Sequence, residues 1–414
     1  MVIKKGYKQT ELGIIPEDWK IMVVHDACKD IFLGLTNKVD YVQSNGIPLI
    51  RANNISNGKL SFDNARLISK KQHKSLTKYH KPTHGDVLVT KSGSLGVCAI
   101  VDSKDEFSIY ESIIALKPDP ELIAPEFLLC ILRENSVQNK LKTDVVGSGV
   151  EHINLNDFRK LVISFPSTYE QQKIVKTLFD IFEYIQFLEN LIQKKKNIKQ
   201  GAMQELLTGK RRLEGFSGEW KDFTLKTIVK IPITDGPHET PLFLYNGIPF
   251  LSVNNIVNSK VDLSELRYIS KKDHERFSKK CKPMKGDILL GKAASVGNVA
   301  IVDFSFEFNI WSPLALLRIN DKNITKFIYY YLQSQHIKKQ INFLTNSSSQ
   351  GNLGMGDIEK FEFLLPSKKE QLSIAIILSD MDEEINQLEK QLEKYTNLKQ
   401  AMMQKLLTGE IRLV

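Results

Sequence analysis

No stretch of this 414-residue chain is apolar over the ~18–20 residues that a membrane span needs. The opening Met1-Val2-Ile3-Lys4-Lys5 leads into no signal-peptide core. A cytoplasmic location and no membrane partner are therefore expected. Cysteine is scarce too: Cys28, Cys98, Cys130 and Cys281 show no CxxC pairing, so neither a disulfide framework nor a zinc site is indicated, and buried thiols are expected. The eight histidines form no HExxH helix, there is no GxSxG elbow, and no strand-GxGxxG-helix unit occurs. Gly286 to Ala293 matches the phosphate-loop pattern GxxxxGK but ends on Ala293, which lacks the hydroxyl that would bind magnesium. The related Gly85 to Ser92 has the hydroxyl but carries Thr90 in place of the second glycine. Val87-Leu88-Val89 and Ile288-Leu289-Leu290 read instead as buried strands. His238, after a Gly-Pro turn, is a metal ligand in principle and more simply a surface contact to a partner. The chain reads as a non-catalytic binder, with no cofactor and no metal of its own.

What the sequence does contain, it contains twice. Pro166, Glu170, Gln171, Asp180, Lys199, Gln200, Met203 and Leu206-Leu207-Thr208-Gly209 recur 200 positions later as Pro366, Glu370, Gln371, Asp380, Lys399, Gln400, Met403 and Leu406-Leu407-Thr408-Gly409. Upstream, GIPLIRANNI (46–55) recurs as GIPFLSVNNI (246–255), and GDVLVTKSGSLG (85–96) as GDILLGKAASVG (286–297), with many side chains changed. The period is domain-sized, so this is a tandem duplication and not a solenoid.

Apolar residues at Ile174, Leu178, Ile181, Ile185, Leu188 and Ile192 alternate steps of four and three, a coiled-coil seam that the second copy repeats from Ile374 to Tyr395. Each seam starts after a proline and stops near a glycine, which predicts two helices of about 40 residues and roughly 60 Å. Antiparallel pairing with each other, as a rod with a domain near each end, is the simplest use of the two stripes; an intermolecular coil is the competing one. Residues 1–165 and 214–365 look like mixed α/β globular domains, with strands such as 97–101 and 299–302 and short helices around 125–134 and 324–334. The expected fold class is α+β, divided as 1–165, a helical region 166–213, 214–365 and a second helical region 366–414.

The net charge of +9 and pI near 9.0 favour a polyanionic partner. The excess is local: residues 70–91, with Lys70, Lys71, Lys74 and Lys91, and residues 271–292, with Lys271, Lys272, Arg276 and Lys292, each carry a net +5. Clustered lysines attract phosphate without regard to sequence, whereas reading bases requires groups such as Arg, Asn, Ser or Lys at base edges. The duplicated loops offer Arg51, Asn53 and Asn54 in one copy and Ser252, Asn254 and Asn255 in the other; Lys91-Ser92 and Lys292 end the GD(V/I)L strands. The asparagines are equally readable as turn formers, and the basic stretches as solvated helix faces.

The chain resembles the specificity (S) subunits of type I restriction-modification systems along its whole length. The resemblance rests on Tyr7-Lys8-Gln9-Thr10-Glu11-Leu12-Gly13-Ile14-Ile15-Pro16-Glu17-Asp18-Trp19, the Asp235-Gly236-Pro237-His238 turn, the paired Pro-x-x-x-Glu-Gln helix starts and the two Leu-Leu-Thr-Gly endings. It implies two target recognition domains, 1–165 and 214–365, each reading one half of a split double-stranded DNA site. The helical regions would set the spacing and dock two methyltransferase subunits, with restriction/translocase subunits added. S-adenosylmethionine, ATP and magnesium would belong to those partners. An alternative is a stand-alone nucleic-acid-binding coiled-coil scaffold. Because the helical copies are alike and the domains have diverged, the site should be asymmetric. Phe32-Leu33-Gly34-Leu35-Thr36-Asn37 departs from the turn at 234–240, so contacts are not expected to carry over between domains there.

Overall fold

The structure, a computed structural model, describes residues 3–34, 39–56, 58–143, 152–346 and 351–414. The chain forms two compact units, Met1–Glu189 with Gln391–Val414, and Asn190–Lys390.

In the first unit a four-stranded antiparallel sheet runs in the order Cys98–Ile100, Val87–Thr90, Ile113–Pro118, Cys28–Leu33. Its central strand shows why the sequence there is apolar without alternation. Val87 and Val89 enter one core with Phe127 and Leu178, while Leu88 enters a second core with Ile50 and Phe107. A strand covered on both faces needs an apolar residue at every position. A second sheet, ordered Ser108–Ile109, Ile47–Ile50, Arg66–Ile68, Tyr41–Val42, contains one parallel pair, Ser108–Ile109 beside Ile47–Ile50. The strand after Trp19, Lys20–Val23, pairs with Val162–Phe165, which delivers the chain to Pro166.

The second unit repeats this plan. Its sheets run Thr234–Asp235, Leu314–Leu317, Ile288–Gly291, Val299–Ile301, and Arg267–Ile269, Ile248–Leu251, Asn309–Ile310. Ile288 and Leu290 face one core and Leu289 the other. The near-match to a phosphate loop is thus a central sheet strand with both faces covered, as its apolar run predicts. Lys221–Thr224 pairs with Glu362–Leu365 just before Pro366.

The long helices span Thr168–Leu206 and Lys368–Leu407, close to the expected bounds. Gly209 (φ +68°) and Gly409 (φ +72°) follow their ends in the left-handed region. Each unit takes the start of one helix and the end of the other, packed antiparallel. In the first, Ile174 and Leu178 share a core with Met403 and Leu406, and further along Tyr184 meets Tyr395 edge-on at 4.6 Å. In the second, Ile374 and Leu378 lie with Met203 and Leu206, and Lys199 meets Asp382 at 2.5 Å.

This packing explains the repeated signature residues. The side chain of Gln171, fully buried, accepts from the Ala124 amide (2.9 Å) and donates to the Leu122 and Pro166 carbonyls; Gln371 repeats this with Ile324, Asn323 and Pro366. Buried Glu170 accepts two hydrogen bonds from Arg412 (2.6 and 2.7 Å), and Glu370 two from Arg212 (2.6 and 2.8 Å). A side chain at Gly409 would strike Pro16 and Trp19. The Leu-Leu-Thr-Gly ending is therefore the seat for the tryptophan that opens each copy.

Candidate nucleic-acid interface

The basic stretch of each copy begins as a short helix, Lys70–Leu76 or Lys271–Ser278. Ser69 and Ser270 cap them, each hydroxyl accepting from the backbone amide three residues on (3.1 and 3.0 Å). The inward anchor of each is a histidine that was not singled out in the sequence. His73 is buried and hydrogen-bonded to Ser108 at 2.9 Å; His274 is buried and bonded to Asn309 at 2.6 Å. Burial pushes the His73 imidazole below its ordinary value. With the histidines inward, Lys70, Lys71, Lys74, Lys271, Lys272 and Arg276 are all exposed. Arg276 is partly neutralised by Asp273 (2.8 Å) and Glu239 (2.6 Å).

The paired asparagines divide. Asn54 accepts from the Arg51 amide (3.1 Å) and donates to the Asp63 carbonyl (3.3 Å), and Asn255 accepts from the Ser252 amide (2.9 Å) and donates to the Asp262 and Glu265 carbonyls (both 3.1 Å). These two are turn formers. Asn53 and Asn254 are exposed beside them.

The two strand-end lysines also differ. Lys91 and Ser92 are half-buried; the Lys91 amide donates to the Ser112 carbonyl (2.7 Å), and Ser92 forms a bridge to His152. Lys292 is drawn inward: its ammonium sits 3.1 Å from the buried Asp235 carboxylate, which also takes Lys280 at 2.5 Å and His238 at 3.2 Å. His238 and Lys292 are thus engaged by Asp235, the carboxylate of the Asp-Gly-Pro-His turn. In the first copy the sheet register puts Leu33 where Asp235 stands, since Leu33 pairs with Ile114 and Asp235 with Ala315. Gly34 and Gly236 are nevertheless equivalent, each with its α-carbon against the carbonyl of the neighbouring strand, Tyr110 or Ile310. Leu35, Thr36 and Asn37 lie outside the described residues.

Burial alone would raise the Asp235 carboxyl, but hydrogen bonds from Lys280 and Lys292 outweigh it and hold the group below the usual carboxylate range. A depressed folded-state pKa contributes stability that is present above the unfolded value, near 4, and is lost as pH falls through the folded value. Asp235→Asn is therefore expected to melt below the parent protein at pH 7, with the gap closing as pH drops below about 4. A gap constant from neutral to acid pH would contradict this.

Among the described residues no cluster of three or more His, Cys, Asp or Glu suits a metal ion, and no described helix is long and apolar enough to cross a membrane. Cys98, Cys130 and Cys281 are buried and Cys28 half-buried; burial raises the first two and Cys28 to about 12 and Cys281 to about 11.

Two α+β lobes of one design, each with a histidine-anchored basic helix, define a protein built by internal duplication. The chain belongs to the family of the type I restriction modification DNA specificity domain, whose model matches residues 16–200 and again 217–396. It is 28% identical, over 99% of its length and 97% of the relative, to a Methanocaldococcus jannaschii protein whose name assigns it as the specificity subunit of a type I restriction enzyme, MjaX. It is 24% identical to the type I restriction enzyme EcoKI specificity subunit of Escherichia coli, covering 96% of this chain and 90% of that one. The fold matches the crystal structure of a type I restriction-modification system S subunit from M. genitalium with a TM-score of 0.61, at 17% identity and 98% of both chains.

Proposed function

We propose that this chain is the non-catalytic DNA-reading subunit of a type I restriction-modification complex, each lobe gripping one half of a bipartite, asymmetric duplex target. Domains 1–165 and 214–365 do the reading. The helical regions 166–213 and 366–414 set the spacing and dock two methyltransferase subunits, to which restriction/translocase subunits add. S-adenosylmethionine, ATP and magnesium are used by those partners, and the complex works in the cytoplasm.

The observation that carries this reading is the mirrored basic helix, presented by a buried histidine at the same place in both lobes while the exposed residues around it differ. Two unlike readers on like frames call for two unlike half-sites. Co-expression of the chain with its methyltransferase partner should produce adenine methylation at one split, non-palindromic motif, read by single-molecule methylation mapping. The absence of any split motif that depends on this chain would sink the proposal.

A further inference from the structure

In the first lobe, two strands lie side by side and parallel, and the residues that follow them, Arg51 and Tyr110, emerge together at their carboxyl ends. The Tyr110 amide donates to the Ile50 carbonyl (2.9 Å), and the Arg51 amide to the Asn54 side chain, so both backbones are fixed. The Arg51 guanidinium lies 4.8 Å from the centre of the Tyr110 ring and 5.6 Å from that of Tyr41, and its Nη2 donates to the Tyr41 hydroxyl at 2.5 Å. Arg66 covers the Tyr41 ring at 4.9 Å. Among the described residues neither arginine is paired with a carboxylate.

This cluster adjoins the lysine-rich helix. Tyr41 stands opposite Ile68, the residue before the helix cap Ser69, and the Asp40 amide donates to Gln72 inside the helix (3.3 Å). Among the described residues the buried Arg51 Nε has no hydrogen-bond partner. Among the described residues one of the five N–H donors of the guanidinium is used, toward the Tyr41 hydroxyl, and two aromatic rings pack against the group.

The second lobe keeps the frame but not the arginine. Arg267 covers Phe243 at 5.0 Å, Trp311 packs on Phe243, and Ser252 follows the equivalent strand. A cavity of about 440 Å³ opens beside Ser252, Asn254 and Arg267.

We propose that Arg51 is a specificity-determining residue that reads a guanine in the half-site bound by the first lobe, donating two hydrogen bonds to its O6 and N7 edge. The second lobe, with Ser252, makes no such contact. This rests on the DNA-reading function proposed above. An arginine fork emerging beside the ends of two paired strands suits the O6 and N7 edge of guanine; the same fork can also take a phosphate bidentately, and the 7-deazaguanine series separates the two.

The test uses the full chain in complex with its methyltransferase subunits, with DNA duplexes in which each guanine of the target is replaced in turn by 7-deazaguanine, which lacks the N7 acceptor. One position in one half-site should weaken binding by roughly 10-fold or more, and Arg51→Lys, which keeps the charge but loses the fork, should abolish that sensitivity. Methylation mapping of Arg51→Lys and Arg51→Ala should show relaxed choice at the same guanine, by roughly 10- to 100-fold, with the other half-site intact. Insensitivity of the parent complex to every 7-deazaguanine overturns the assignment, whatever the folding of the variants. So does a uniform loss across all sequences in Arg51→Lys, which would mark a phosphate contact. If the parent complex shows no split motif at all, it is the DNA-reading function that fails.

Discussion

Arg412→Ala is expected to destabilise the protein by about 3 kcal/mol in urea unfolding, because it leaves the Glu170 carboxylate buried without its bidentate partner. Arg412 is about a quarter exposed, which places the effect at the low end of values for buried pairs. The same arginine holds Asp18 below the usual carboxylate range, through hydrogen bonding first. Arg212→Ala should act in the same direction through Glu370. The paired change Glu170→Gln with Arg412→Met should recover part of the loss, since the cost lies in the unpaired charge and not in the missing contact. A change of under ~0.5 kcal/mol for Arg412→Ala would place the pair among surface ion pairs of little consequence.

Replacing Lys70, Lys71, Lys271 and Lys272 together by glutamine is expected to leave the melting temperature unchanged and to flatten the salt dependence of DNA binding. Each phosphate contact contributes about 0.9 to the slope of log K against log salt, so four contacts would lower it by up to about 3.6. All four residues are exposed, and the caps and histidine anchors of their helices are untouched. Binding titrations between 50 and 200 mM salt read the slope; an unchanged slope would show that these helices face away from the DNA. Lys292→Ala should behave in the opposite manner, altering stability through Asp235.

Much of the frame was legible because it obeys short-range rules. Steps of four and three announced the long helices, a proline and a glycine bounded them, and the 200-residue period gave the two copies. The site was less legible, since its geometry depends on contacts between distant residues. Asn54 and Asn255 carry a side chain suited to base edges, yet backbone groups nearby take it up. Lys292 looks like a free strand-end cation until Asp235, 57 positions earlier, is brought beside it. The histidine anchors were discoverable in principle, being apolar-face residues at equivalent places in two charged helices. The Arg51–Tyr110 contact was not, because it depends on a parallel pairing of strands about 60 residues apart.

The division of the chain also orders events during synthesis. The unit Asn190–Lys390 is one uninterrupted stretch, whereas the other must recruit Gln391–Val414 to complete its core, Met403 and Leu406 included. The earlier-made lobe therefore keeps part of its core uncovered, Ile174, Leu178 and Trp19 included, until residues 391–414 have been made.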